Sequence, residues 1–112
     1  MREVETSSGN SIFVLDEPGE GGASRDYRVC DGKGEWNPAS VEHASVVFMG
    51  GGPGGGRGCT NEDLLLILID RLRGFQGGEF PCRENAIALT NLEQALMWLE
   101  RRERRVSRGR GT

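Results

Sequence analysis

The chain is predicted to be α+β: a small N-terminal antiparallel β-ribbon or sheet, then a C-terminal antiparallel helical hairpin that assembles with copies of itself. Three observations predict this. Short apolar runs separated by Gly, Pro and Asp fill the first half. Two long helical patterns separated by Gly77-Gly78 fill the second. The run Leu64 to Ile69 is apolar at six consecutive positions, so it faces every side of a helix. A two-helix hairpin and a thin sheet cannot cover all those faces. Each exposed Leu or Ile forgoes roughly 1.5–3 kcal/mol of burial, so subunit contacts are expected there.

The elements follow in order. Residues 1–11 are polar and read as a frayed end. Ile12 to Leu15 (IFVL) is too short for a useful helix and reads as a strand. Asp16 to Gly22 is a loop, and Asp26 to Cys30 (DYRVC) alternates like a second strand. Asp31 to Ser40 is again a loop, and Ala44 to Met49 (ASVVFM) is the third strand. A sheet this small is marginal unless it packs on something. Gly50 to Cys59 reads as a flexible glycine connector, dividing the chain into 1–59 and 60–112.

Thr60 is a good N-cap, Asp63 stands at N3, and Glu62 favours the helix dipole. The first helix is expected from about Asn61 to Gln76. Pro81 can open the second, which is expected to reach about Val106. Leu89, Leu92, Leu96 and Leu99 give it one apolar face, and Ala88 and Ala95 permit close approach.

Charge and cysteine usage narrow the function. The net charge is −3, yet residues 101–112 hold six Arg and one Glu, +5 in all, which leaves −8 elsewhere. Of 14 basic residues only Lys33 is Lys. Arginine suits bidentate phosphate binding and stacking on bases. A GC-rich genome would raise Arg and Gly together, but it explains the C-terminal clustering less well. Cys30, Cys59 and Cys82 are odd in number, far apart and without a CxxC pair, against a zinc site or disulfide framework and in keeping with a reducing cytosol. No run approaches the ~20 apolar residues of a membrane span, and no signal peptide is evident.

Catalytic candidates are few. SVVFMGGGPGGGRGCT imitates a strand, Gly loop and helix N-terminus, but Arg57-Gly58 stands where a phosphate-binding P-loop needs Lys and Ser or Thr. His43 is the one histidine, beside Glu42 in a segment read as a polar loop, with no context for a Cys–His pair. No cofactor is expected. Binding residues are better represented. Phe75 reads either as a core aromatic of the hairpin or as a stacking platform for a base. Asn85 reads as an exposed amide or as a reader of a purine edge or ribose. Trp98 reads as core or interface. Arg101, Arg102, Arg104, Arg105 and Arg108 surround the helix end, either as a dipole-complementing terminus or as anion ligands. Asn85 and Arg102 lie about 25 Å apart along a helix at 1.5 Å per residue. One small nucleotide cannot touch both on one helix, so the site lies between subunits or there are two sites.

The stretch TNEDLLLILIDRLRGFQGGEFPCRENAIALTNLEQALMWLERR closely resembles the helical hairpin domain of two groups of phage anti-defence proteins. One is the first-described Thoeris anti-defence family; the other is an anti-CBASS family of cyclic-nucleotide sponges. VLDEPGEGGASRDYRV and ASVVFMGGGP resemble the β-rich N-terminal part of the Thoeris type, although Ser24-Arg25 stand where that family commonly has Cys-His. The resemblance implies a non-enzymatic sponge in the host cytoplasm that binds a nucleotide second messenger without cleaving it. The messenger would be a glycocyclic ADP-ribose isomer, with cyclic di- or trinucleotides as further ligands. It implies dimers that build a hexamer. By motif position, the pocket aromatic and amide fall on Phe75 and Asn85, and the phosphate-contacting arginine falls on Arg102, with Arg105 a further candidate. Two other readings stand beside it: a nucleic-acid-binding accessory protein using the Arg cluster, disfavoured by the acidic remainder, and a ligand-free structural oligomer.

Overall fold

The computed structural model describes residues 1–32, 34–50 and 56–110, with side chains to residue 106 in the last helix. It has four strands, β1 (Arg2–Val4), β2 (Ser11–Val14), β3 (Asp26–Cys30) and β4 (Glu42–Val47), then two helices, α1 (Asn61–Gln76) and α2 (Arg83–Arg110). The α+β class is the one expected. Contacts cluster into two compact units, Met1–Cys59 and Thr60–Thr112.

The sheet is an antiparallel meander in the order β1-β2-β3-β4. β2 is interior and carries most of the unit's core: Ser11, Phe13 and Val14 are buried, as is Cys30 on β3. Burial pushes the Cys30 thiol up from its usual range, which keeps it protonated and unreactive. On one face Tyr27 meets Phe48 edge to face, with centroids 5.5 Å apart. On β3, Arg28 pairs with Asp26 and with Glu42 of β4.

Two expectations for this half need correction. The N-terminal residues do not fray: Arg2, Glu3 and Val4 pair with Val14, Phe13 and Ile12. Three residues are too few to show a period, so this strand is specified by its partner. His43 is not in a loop but on β4, with Nε2 3.2 Å from an Asp31 carboxylate oxygen.

The β2–β3 connection is organised by Asp16. Its carboxylate accepts the backbone N–H of Arg25 at 2.9 and 3.1 Å and that of Asp26 at 3.0 Å. Ser24 Oγ donates to the Asp16 carbonyl at 3.2 Å. Gly22, at φ +88°, makes the left-handed turn this loop requires. The N–H groups of Asp26 and Arg25 hold the Asp16 carboxyl below the ordinary carboxylate range. A depressed folded pKa stabilises above the unfolded value, about 3.9, and that contribution is lost as pH falls through the folded value. The melting-temperature gap between the native chain and Asp16→Ala is therefore expected to be full at neutral pH and to close in acid. A gap independent of pH would refute the charge-based account.

The glycine segment also differs from a free connector. Residues 51–55 lie outside the described residues, but its ends are tied to β4. Cys59 bridges Phe48 in parallel, its N–H donates to Val47 O at 2.9 Å, and its carbonyl accepts from Met49 N at 2.8 Å. Gly50 N–H reaches Gly56 O at 2.9 Å. A Cβ on Gly58 would lie 2.3 Å from Val47 O and 2.6 Å from Phe48 C, so the backbones meet only because position 58 has no side chain. Gly58→Ala is expected to cost about 1–3 kcal/mol, the usual range for overpacking. Thermal unfolding checks this, and an unchanged midpoint would show that the bridge adds nothing.

The helices follow from their caps. Thr60 N–H donates to Asp63 Oδ2 at 2.9 Å, and Asp63 N–H donates to Thr60 Oγ1 at 3.1 Å, a full capping box. α1 ends at Gln76, as expected, and Gly77 N–H closes on Arg73 O at 3.0 Å. α2 starts two residues later than expected. Pro81 stands outside it, and Cys82 takes the capping role, with Sγ accepting Asn85 N–H at 3.4 Å. α2 also runs beyond Val106, its backbone helical to Arg110. Its half-buried positions among the described side chains, Asn85, Ala88, Leu89, Leu92, Ala95, Leu96, Leu99 and Val106, form one stripe. Arg73 and Glu93 tie the helices at 2.8 Å. On α1 only Ile69 is fully buried, while Leu66, Ile67 and Leu68 are 50%, 63% and 46% exposed.

Candidate functional site

The turn end of the hairpin brings two of the four expected residues to the same level. Phe75 is the second-last residue of α1 and Asn85 the third of α2. The connection between the helices is short and fixed: Gly78 N–H donates to Phe75 O at 3.3 Å, and Cys82 N–H donates to the Gln76 side-chain oxygen at 3.1 Å. This pins the start of α2 against the end of α1.

Phe75 is 45% exposed, which rules out the reading of a core aromatic within this chain. The Arg71 guanidinium lies over its ring, 5.0 Å from the centroid. Asn85 is half-buried, and only its backbone N–H, not its side-chain amide, is hydrogen-bonded among the described residues. The hairpin end thus presents an apolar ring face and an unspent amide. The chemistry available is stacking plus donor–acceptor recognition of a flat heterocycle.

Arg102 and Arg105 are exposed and stand far from this end. At 1.5 Å per residue, α1 is about 24 Å long and α2 about 42 Å, so α2 outreaches its partner by about 18 Å. Arg102 lies on that overhang and cannot reach Phe75 or Asn85 of its own chain. Neither arginine has an ion pair among the described residues. Trp98, expected in a core or an interface, is 58% exposed, with Arg101 stacked 5.3 Å from its ring centroid. Arg71 was not singled out by composition or motif. Its i, i+4 spacing from Phe75 was the signal available.

Other concavities and centres suit an anionic nucleotide less well. A cleft of about 880 Å³ opens in the sheet unit over Phe13, Trp36, Arg2 and three carboxylates, Glu3, Glu5 and Glu35. Its acidic lining disfavours phosphate, and none of the four expected residues borders it. At the start of α1 the capping box commits the Thr60 and Asp63 N–H groups, and Glu62 and Asp63 add negative charge. That opposes the anion site a P-loop would need there. Among the described residues no cluster of His, Cys, Asp and Glu is placed to hold a metal ion. No helix among them is long and apolar enough to cross a membrane.

The Thoeris anti-defense 1 protein of Bacillus phage SBSphiJ7 is 43% identical over 84 residues, 75% of this chain and 56% of its own length. The chain thus spans a little over half of that relative. The family described as Acb2/Tad1, hairpin domain, matches residues 44–102. That match takes in most of β4, all of α1 and α2 as far as Arg102, hence Phe75, Asn85 and Arg102 together. By its hairpin and by its sequence, the chain belongs to the Acb2/Tad1 hairpin family of phage anti-defence proteins.

Proposed function

We propose that this protein binds a cyclic nucleotide immune second messenger and sequesters it intact, blocking Thoeris signalling and, through further ligands, CBASS signalling. The messenger is a glycocyclic ADP-ribose isomer, with cyclic di- or trinucleotides as additional cargo, and the site of action is the cytoplasm of the bacterial host. One observation carries the reading: within the family-matched hairpin, a half-exposed Phe75 and an unspent Asn85 amide stand at the same end. Phe75 stacks on the base and Asn85 hydrogen-bonds the base or ribose. Arg102, with Arg105, neutralises phosphate across a subunit boundary.

That boundary is part of the proposal. Because Arg102 lies about 25 Å along the helix from Asn85, a pocket using both draws them from different copies of the chain. The exposed Leu66, Ile67 and Leu68 supply apolar area for such contacts, and the assembly proposed is of dimers joined into a hexamer. Capture is stoichiometric and needs no cofactor. His43 faces Asp31 in the sheet unit and takes no part.

The test is calorimetric titration with a panel of glycocyclic ADP-ribose isomers, cyclic dinucleotides and cyclic trinucleotides, followed by heat release of the ligand and its mass measurement. Tight binding and an unchanged mass are expected. A changed mass would replace the sponge with an enzyme. No binding to any of them would favour the Arg-rich overhang as a nucleic-acid contact, whose affinity would fall steeply with salt.

A further inference from the structure

We propose that Arg71 is an additional ligand-binding residue: it contacts a phosphate of the nucleotide whose base stacks on Phe75, within the same protomer. The inference rests on the messenger-binding reading above.

The geometry is local. Arg71 and Phe75 are one helical turn apart on α1, and the guanidinium carbon sits 5.0 Å from the ring centroid. A cation over a ring face is held there by the ring quadrupole. The arginine therefore sits over the ring, while Phe75 as a whole stays 45% exposed and so open to a base. Its head group is also unspent. Among the described residues Arg71 makes no hydrogen bond or ion pair, whereas Arg73, two positions on, is committed to Glu93 at 2.8 Å. Arg25 and Arg28 are likewise occupied, by the Phe48 carbonyl and by Asp26 and Glu42.

A guanidinium offers five N–H donors in a planar fork that matches two phosphate oxygens at once. Stacking on Phe75 uses its face and leaves those edge donors free. A nucleotide stacked on Phe75 carries its phosphates one ribose away from the base, within reach of an arginine already resting beside the ring. Arg102 of the same chain lies about 25 Å from Asn85 along the helix. Arg71 thus supplies the near-side anion contact, and Arg102 serves a site completed by another subunit. A neutral nucleoside would stack without engaging Arg71.

Arg71→Gln and Arg71→Lys in the full chain test this, titrated with the glycocyclic ADP-ribose isomers and a cyclic diadenylate at low and high salt. Circular dichroism and sedimentation check that fold and assembly are unchanged. Arg71→Gln is expected to weaken binding by about tenfold or more, roughly 1.4 kcal/mol, and to flatten the salt dependence. Arg71→Lys, which keeps the charge, is expected to recover part of both. Native affinity and native salt response in Arg71→Gln, beside loss of binding in Phe75→Ala, would overturn the proposal and leave the messenger reading intact. Weakened binding with an unaltered salt response would also overturn it, because Arg71 would then only shape the Phe75 surface. If the native chain binds none of the probes, the messenger reading fails first and this proposal with it.

Discussion

Phe75→Ala and Asn85→Ala are each expected to weaken messenger binding by about ten- to a hundredfold while leaving a folded chain of native assembly. The reason is that neither side chain is needed for the hairpin core: Phe75 contacts only the exposed Arg71 among the ring and cation contacts, and the Asn85 amide has no hydrogen bond among the described residues. Phe75 is 45% exposed, so its removal opens no core cavity. The Asn85 amide supports no hydrogen bond in the hairpin, and its backbone N–H still caps onto Cys82 in the variant. Stacking of a base on an aromatic contributes about 1–3 kcal/mol, and a buried polar group of the ligand left without its amide partner costs about 1–3 kcal/mol. Either loss weakens binding by about one to two powers of ten at 1.4 kcal/mol per tenfold. In a pocket closed by two subunits the two effects reinforce each other. Calorimetry against the best ligand of the panel measures this directly. Native affinity in both variants would remove the hairpin end as the pocket.

Ile67→Glu is expected to dissociate the assembly and to take messenger binding with it. Ile67 is 63% exposed between Leu66 and Leu68, also exposed, so within one chain a carboxylate there meets only water. Across an interface it would replace apolar burial of roughly 1.5–3 kcal/mol per side chain with an unpaired charge, and symmetry repeats the penalty in every copy. Sedimentation velocity should show the native chain as an oligomer and Ile67→Glu as a smaller species with unchanged helix content. A native chain that sediments as a monomer at every concentration, or a variant that sediments like it, would refute the assembly.

The helical half was more legible in the sequence than the sheet, for physical reasons visible in particular residues. α1 could be placed at both ends because its signals are local: Thr60 and Asp63 cap each other within four residues, and Gly77 ends the last turn. The end of α2 was misplaced because an arginine run has good helix propensity but no apolar period to mark its extent. Its start was misplaced because Pro81 fits the first helical position as well as the position before a cap. In the sheet, β3 was read to the residue because DYRVC alternates. β1 was missed because its strand character comes from β2, eight residues away. Gly58 reads as one more glycine in a run, yet it is the one that lets Cys59 lie against Phe48. Phe75 and Asn85 were legible as candidates, through motif position. Whether the ring was inside or outside the hairpin was not, since an aromatic at that spacing suits both.

In the proposed shared pocket, the overhang of α2 would set how capture depends on dose. Arg102 lies too far along α2 to meet the Phe75 of its own chain, so a pocket that needs both would be complete only in an assembly. The number of complete pockets would then rise with at least the square of protein concentration until assembly saturates, and linearly afterwards. Soon after synthesis starts, signal would go unchecked. Once copies meet faster than messenger is made, free signal would drop abruptly. A single-chain receptor with the same residues would instead respond in proportion from the first molecule, so the uneven length of two helices would convert gradual expression into a threshold in time.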